Sequence, residues 1–406
     1  MVQRPIKNDV SNTSNLLGQS LELPCGAVLK NRLTKSAMSD SLGDGAGDPT
    51  EAQNRLYERW AEGGVALSLI GEVQGDFRYP EKPGNLVLGP KSNQKKLRSL
   101  ASRGQVHEAH LWPQLGHAGA LSHLPISRPK GPSALNIEGL KCEGMSVEDI
   151  RALPEIYARA AVLAKSVGFS GVQIHSGHGF LFNQFISPLF NHRTDEYGGS
   201  VEARFNIVHK VIDEVRRAVG PAFPIGIKIN STDNLEGGIT NENALEVVRI
   251  LDRTSIDLID VSGGTYFPGA KASSDSSSDG GPYFTEFTRR AKEITDIPIM
   301  ATGGFEKRNQ AVEAIASGAV DMVSLARAAV LDPQLAKSWL SEEGGDPEFP
   351  IFDSPPRGGV TAWYTMRITA LGEDGENEFA LDPKSAISAY EDRDTQRCIK
   401  WLEKYS

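Results

Sequence analysis

At 406 residues the chain is long enough for two or three average domains or for one α/β barrel, and 39% hydrophobic against 23% charged residues leaves material for a large buried core. A formal net charge of −9 without a basic cluster argues against nucleic acid or an anionic membrane as the main partner. The three cysteines, Cys25, Cys142 and Cys398, lie far apart without zinc or iron–sulfur spacing, and the start MVQRPIKNDVSNTSN has no apolar signal region, so a cytoplasmic chain with reduced thiols is expected.

Residues 1–28 are polar and read as a loose lead-in. Residues 29–39 end in a short strand, GDGAGDPT follows as a loop, and a helix over Glu51–Glu62 stops at Gly63-Gly64. Residues 65–70 form a second buried strand with Gly71-Glu72 at its end. A charged helix over 91–108 leads to Ala109-His110-Leu111-Trp112-Pro113-Gln114 and on to Gly116-His117-Ala118-Gly119. A helix over 146–167 precedes Gly171-Val172-Gln173-Ile174-His175, a strand that runs straight into Ser176-Gly177-His178-Gly179. After the polar loop 191–199, Ser200 can cap a helix reaching 219, with Ala203 near its N3 position. The alternation continues with strand 224–230, helix 241–253, strand 256–264, helix 285–295, strand 297–304, helix 306–317 and strand 320–327.

Eight mostly continuous apolar strands alternating with helices are what a parallel sheet covered by helices requires. The expected fold is α/β, a (β/α)8 TIM barrel over 29–340 as a single domain, with a C-terminal extension over 341–406 packing on the barrel. A doubly wound sheet predicts fewer strands and a G-x-G-x-x-G turn that is not found; Gly264 and Gly269 have P-loop spacing, but Ala270 stands at the lysine position. Trp363-Tyr364 and a helix over 385–404 tie the extension down, and the Ser/Asp/Gly stretch 270–281 reads as a mobile loop.

Two histidines at a strand's C-terminal end stand where barrels bind their ligands. The stretch 171–204, with its His-x-x-His pair, a Gly-aromatic step and the loop RTDEYGGS, closely resembles the old yellow enzyme family of FMN-dependent oxidoreductases. The likeness runs from about Asn31 to Pro333. It implies non-covalent FMN, NADPH or NADH as hydride donor, and an activated alkene as small-molecule substrate; a homo-oligomer is compatible with it, and neither nucleic acid nor membrane is called for.

The resemblance extends to individual positions. Gln114 in QLGHAG matches the family's pyrimidine-binding Gln. Lys228 stands where a basic residue, commonly Arg, faces the flavin; it keeps the charge and loses the bidentate fork. Ala37-Met38-Ser39 resembles the flavin-contacting first strand, with Ser39 at a position normally Thr or Cys, and Gly71 is a small residue where the ring passes close. Gly303, Gly304, Ala326 and Arg327, in turns after strands seven and eight, could hold a phosphate through backbone N–H groups, helix dipoles and a guanidinium, as the family does. His175 and His178 can donate to one carbonyl oxygen and stabilise the enolate-like charge formed on hydride addition. Phe180 and Tyr266 would wall the substrate.

One departure bears on mechanism. The family usually has HGY after the histidine pair, and that Tyr protonates the α-carbon; Phe180 cannot. Another donor such as Tyr266, Tyr283, Tyr364 or water could substitute, reduction could be slow, or the flavin could serve an isomerisation or desaturation. The competing readings are a flavin-binding protein without ene-reductase turnover, and a metal-dependent barrel hydrolase or lyase with Asp195 or Glu196 as further ligands. No metal is expected.

Overall fold

The computed structural model describes residues 16–270, 281–342 and 344–406. Eight parallel strands form the barrel: β1 Leu33–Lys35, β2 Leu67–Gln74, β3 His110–Gly116, β4 Val172–Ser176, β5 Ile225–Asn230, β6 Leu258–Ser262, β7 Ile299–Thr302 and β8 Met322–Leu325. Each pairs with the next. β1 closes the ring by pairing with both β8 (Leu33 opposite Val323) and β2 (Thr34 opposite Leu67), so no barrel edge is left.

The helices are α1 Glu51–Glu62, α2 Gln94–Arg103, α3 Val147–Val167, α4 Leu181–Ile186, α5 Val201–Val219, α6 Asn241–Leu251, α7 Thr285–Lys292, α8 Arg308–Ala316, α9 Arg327–Leu331, α10 Leu335–Ser341, α11 Gly359–Gly372 and α12 Pro383–Tyr405. Local chemistry sets their ends. Ser200 caps α5 by accepting from Ala203 N at 3.2 Å, and Ser146 and Asp149 form a reciprocal capping box at α3. The helix expected over 91–108 is shorter, because Asn93 caps its start, Gly104 ends it, and His107 and Glu108 take positive φ. Among the described residues no helix is long and apolar enough to cross a membrane.

The barrel interior is layered. Its lower layer is apolar, built from Leu67, Leu69, Trp112, Leu258, Met300 and Met322, and Leu21, Leu23 and Leu29 of the Leu21–Glu22 / Val28–Leu29 hairpin pack into the same cluster. The loose lead-in expected over 1–28 is therefore corrected for its described part: burying those leucines holds it to the barrel, at roughly 1.5–3 kcal/mol for a fully buried leucine side chain. Residues 1–15 and most of the stretch expected as a mobile loop, 271–280, lie outside the described residues.

The extension is held by specific contacts. Arg59 of α1 donates to Leu371 O at 2.9 Å and pairs with Glu376, Arg55 meets Asp374 at 3.0 Å, and Lys404 of α12 meets Asp48 at 2.9 Å. Trp401 is buried. α11 was missed in the sequence because most of it is apolar or small and shows no clean helical stripe.

Candidate active site

Above the apolar floor, strand alternation turns Gln114, Gln173, Lys228, Asp260 and Thr302 inward. They form one buried polar chain: Gln114 Nε2 donates to Gln173 Oε1 at 2.6 Å, Gln173 Nε2 to Asp260 Oδ2 at 3.1 Å, and Thr302 Oγ1 to Asp260 Oδ1 at 2.8 Å. Lys228 Nζ, with both side chains almost fully buried, lies 2.6 Å from Asp260 Oδ2 and 3.3 Å from Thr302 Oγ1. A lysine in an apolar strand needed a partner, and Asp260 is that partner. An ammonium has three donors, so one remains beyond these two contacts.

A cavity of about 780 Å³ opens over this layer at the strands' C-terminal ends. Its lining contains Ala37, Met38, Ser39, Gln114, His175, His178, Phe180, Lys228, Tyr266, Gly303, Gly304, Ala326 and Arg327, together with Tyr283 and Tyr364. Gly71 does not line it. The glycine is needed for a different neighbour, since a Cβ there would sit 2.2 Å from the Met38 carbonyl oxygen, where the chain after β1 passes β2 in a Ser39–Gly71 bridge. Ser39 turns its hydroxyl to Glu81 Oε2 at 2.9 Å. Gly303 and Gly304 have φ of 129° and 77°, and the Arg327 guanidinium stands 5.8 Å over the Tyr364 ring. The extension contributes wall as well: Arg357, Tyr364 and Tyr390 all face the cavity.

At the histidine corner the His175 and His178 rings are 5.3 Å apart, and Phe180 meets His175 edge-on at 5.0 Å. Tyr266, more than half exposed, stands 6.1 Å from His178 and 5.9 Å from Phe180. His175 Nδ1 accepts the Gly177 N–H at 3.2 Å, so its Nε2 carries the proton, and that nitrogen lies 3.1 Å from Glu72 Oε1. His178 Nε2 shares a hydrogen bond with Ser262 Oγ at 2.9 Å. A neutral imidazole and a hydroxyl bring one donor each, so their mutual bond leaves one for a ligand. Asp195 and Glu196 are drawn into ion pairs with Arg193 and Lys210 instead of approaching this corner.

Two acids at this site escaped the sequence. Glu72 was read only as the end of a strand, and Glu81 not at all, yet both line the cavity. Burial pushes the Glu72 carboxyl up to about 8; burial and the nearby Glu72 push Glu81 up to about 7. The one available signal was a glutamate directly after an unbroken apolar strand.

Burial pushes imidazoles the other way, His175 to about 3, His117 and His123 to about 4, and His178 well below its ordinary value. The unfolded chain protonates these histidines near 6.5, whereas the folded chain resists, so their stabilisation is present above about pH 6.5 and is lost as pH falls toward 3–4. Glu72 and Glu81 oppose this, their contribution being complete below about 4.5 and lost as pH rises through 7 to 8, but they are two groups against four. The urea midpoint, followed by circular dichroism, is expected to fall steadily between pH 6.5 and 4.5; a flat profile would show that these imidazoles are not held neutral.

Residues 25–342 match the NADH:flavin oxidoreductase / NADH oxidase family. The chain is 30% identical over 390 residues to an NADH-dependent flavin oxidoreductase of Hypocrea jecorina, covering 88% of this chain and 97% of that one. It is 31% identical over 330 residues to an NADPH dehydrogenase of Geobacillus thermodenitrificans, covering 80% and 94%. Morphinone reductase shares the fold with a TM-score of 0.71 at 21% identity, over 83% of this chain and 92% of the other.

Proposed function

Because this chain belongs to the NADH:flavin oxidoreductase / NADH oxidase family, the old yellow enzymes, and is thus an FMN-dependent NAD(P)H oxidoreductase, we propose that it reduces the C=C bond of α,β-unsaturated carbonyl compounds by a ping-pong cycle. The observation that carries this reading is the pair of buried, neutral imidazoles of His175 and His178 beside a cavity large enough for a cofactor and a small substrate.

The residues present fit FMN. Ser324 Oγ is buried without a partner among the described residues and faces the cavity, as does Gln114 with amide capacity to spare. Gln114 and Lys228 would take the pyrimidine edge, Ala37 and Met38 would pack on the ring, and Gly303, Gly304, Ala326 and Arg327 would hold the phosphate. When bound, FMN supplies a ring that accepts hydride from NAD(P)H and passes it on. The chain's own part is to hold the carbonyl oxygen at His175 Nε2–H and at the spare donor of the His178–Ser262 pair, and to fix the plane of the alkene between Phe180 and Tyr266. Closing such a corner to water strengthens each of these hydrogen bonds.

The test is an anaerobic absorbance trace of the holoenzyme, reduced with one equivalent of NADPH or NADH and then mixed with cyclohexenone. The yellow absorbance is expected to bleach and then return as the enone is consumed. A trace that bleaches and stays bleached removes the ene-reductase reading and favours a flavin-dependent reaction on another substrate.

A further inference from the structure

His178 is held in a strained backbone conformation. Its φ is 58°, in the left-handed region rarely adopted outside glycine, and Gly179 follows at 82°. Such strain persists where the surroundings over-determine it, and here they do so from both sides. The His178 N–H donates to Asn230 Oδ1 at 2.9 Å, and the His178 carbonyl accepts from Tyr266 N at 3.1 Å. Gly177 makes room for the amide, since a Cβ there would stand 2.9 Å from Asn230 Oδ1. The ring is held separately, through the hydrogen bond between Nε2 and Ser262 Oγ. Asn230 and Ser262 are register partners at the ends of β5 and β6, so one rung of the barrel grips both the backbone and the ring of the same histidine.

Asn230 is itself locked. It lies behind the cavity wall, 3% exposed, and its Nδ2 donates to Gly264 O at 2.8 Å and to Asp233 Oδ1 at 2.9 Å. Both of these groups act as acceptors, so the amide cannot flip, and its oxygen has to face His178. Asp233 is 0% exposed and also accepts Asn183 Nδ2 at 3.1 Å, Ser187 Oγ at 2.8 Å and Ile239 N at 2.8 Å. Asn183 repeats the arrangement one residue on, its Oδ1 accepting the Gly179 N–H at 2.7 Å. One buried carboxylate thus orients two amides, and these hold two consecutive N–H groups of the histidine turn.

We propose that Asn230 is a positioning residue for His178, its amide fixing the one backbone conformation that aims the imidazole–Ser262 pair at the substrate carbonyl. This rests on the ene-reductase reading above. Without the acceptor, the His178 N–H is left unpaired and the left-handed φ is no longer over-determined. The turn can then relax toward negative φ, which swings Cβ and the ring away from Ser262. The donor that meets the carbonyl oxygen moves with them, and a displacement of about 1 Å can cost about 100-fold in rate.

The test is a double-variant cycle on the FMN-loaded enzyme, read by stopped-flow oxidation of the reduced protein with cyclohexenone. Asn230→Ala is expected to slow this step about 30-fold, within what a misplaced group can cost. In a His178→Ala background the same substitution is expected to change the rate by less than about threefold, because the residue it positions is already gone. Equal slowing in both backgrounds is what a merely structural role gives, and it overturns the proposal; so does a single variant within about threefold of wild type. One measurement requires no variant to fold. In the wild type, exchange of the His178 amide hydrogen, followed by NMR, is expected to be at least about 100-fold slower than in an unstructured peptide, and free exchange overturns the proposal equally. If the wild type bleaches with NADH but reduces no enone, the ene-reductase reading falls separately. The His178 ring nitrogen shifts then decide: Asn230→Ala is expected to lose the Nε2 shift conferred by the Ser262 hydrogen bond, and unchanged ring shifts overturn the proposal.

Discussion

Replacing Lys228 with methionine is expected to lower stability by about 3–5 kcal/mol, because it leaves a carboxylate buried in the barrel without its cation. Asp260 is 0% exposed and, among the described residues, keeps only the side-chain partners Gln173 Nε2 and Thr302 Oγ1 once Nζ is gone. Methionine fills nearly the same volume, so cavity formation adds little and the effect isolates the charge. The double variant Lys228→Met/Asp260→Asn is expected to regain more than half of the loss, since the amide removes the uncompensated charge while remaining able to accept from Thr302. FMN content is expected to stay low in both variants, as neither offers a cation to the cofactor. Urea midpoints of the apoproteins and flavin absorbance of the purified holoproteins read the two effects separately. A single variant within about 1 kcal/mol of wild type would mean that water reaches Asp260.

Gly71→Ala should destabilise by up to about 3 kcal/mol, the upper end for overpacking, although it adds one methyl group. All three atoms nearest the new Cβ belong to the Met38 backbone, at 2.2, 2.3 and 2.8 Å, so no side chain can rotate away. The chain after β1 must shift, and with it Ala37, Met38 and Ser39 in the cavity wall. Weaker FMN retention is therefore expected without any change at a residue that itself lines the cavity. Gly345→Ala is the control: no described residue lies within 4 Å of its Cβ, and a change within about 0.5 kcal/mol is expected. Equal melting temperatures for the two variants would refute the close-approach argument.

The barrel was legible because parallel strands covered by helices must be apolar throughout, and because Ser146, Ser200 and Gly63-Gly64 mark helix ends by local chemistry that needs no tertiary context. Of the cavity, the residues on strand ends were legible for the same reason: once eight strands alternate with helices, Gln114, His175 and Lys228 have to converge. What stayed hidden depends on contacts between distant segments. The partner of Lys228 is Asp260, on the next barrel strand and separated from it in sequence by the whole of α6. Glu72 owes its place at the cavity to a bulge that only pairing with β3 reveals, and the tautomer of His175 follows from which nitrogen Gly177 fills. Gly71 was assigned to the ligand, whereas its constraint comes from Met38. The hairpin in the described lead-in was invisible because three leucines spread over a polar segment carry no periodic signal.

The cavity draws its walls from Ala37 near one end of the barrel's sequence and from Tyr390 in α12. On a translating ribosome, α12 emerges after every barrel strand, so a nascent chain that has already closed its β1–β8 seam still lacks part of the enclosure. The residues proposed to hold the cofactor all precede residue 328, so they are in place once the β1–β8 seam has closed, whereas the wall that α12 adds is completed only after synthesis has passed residue 390.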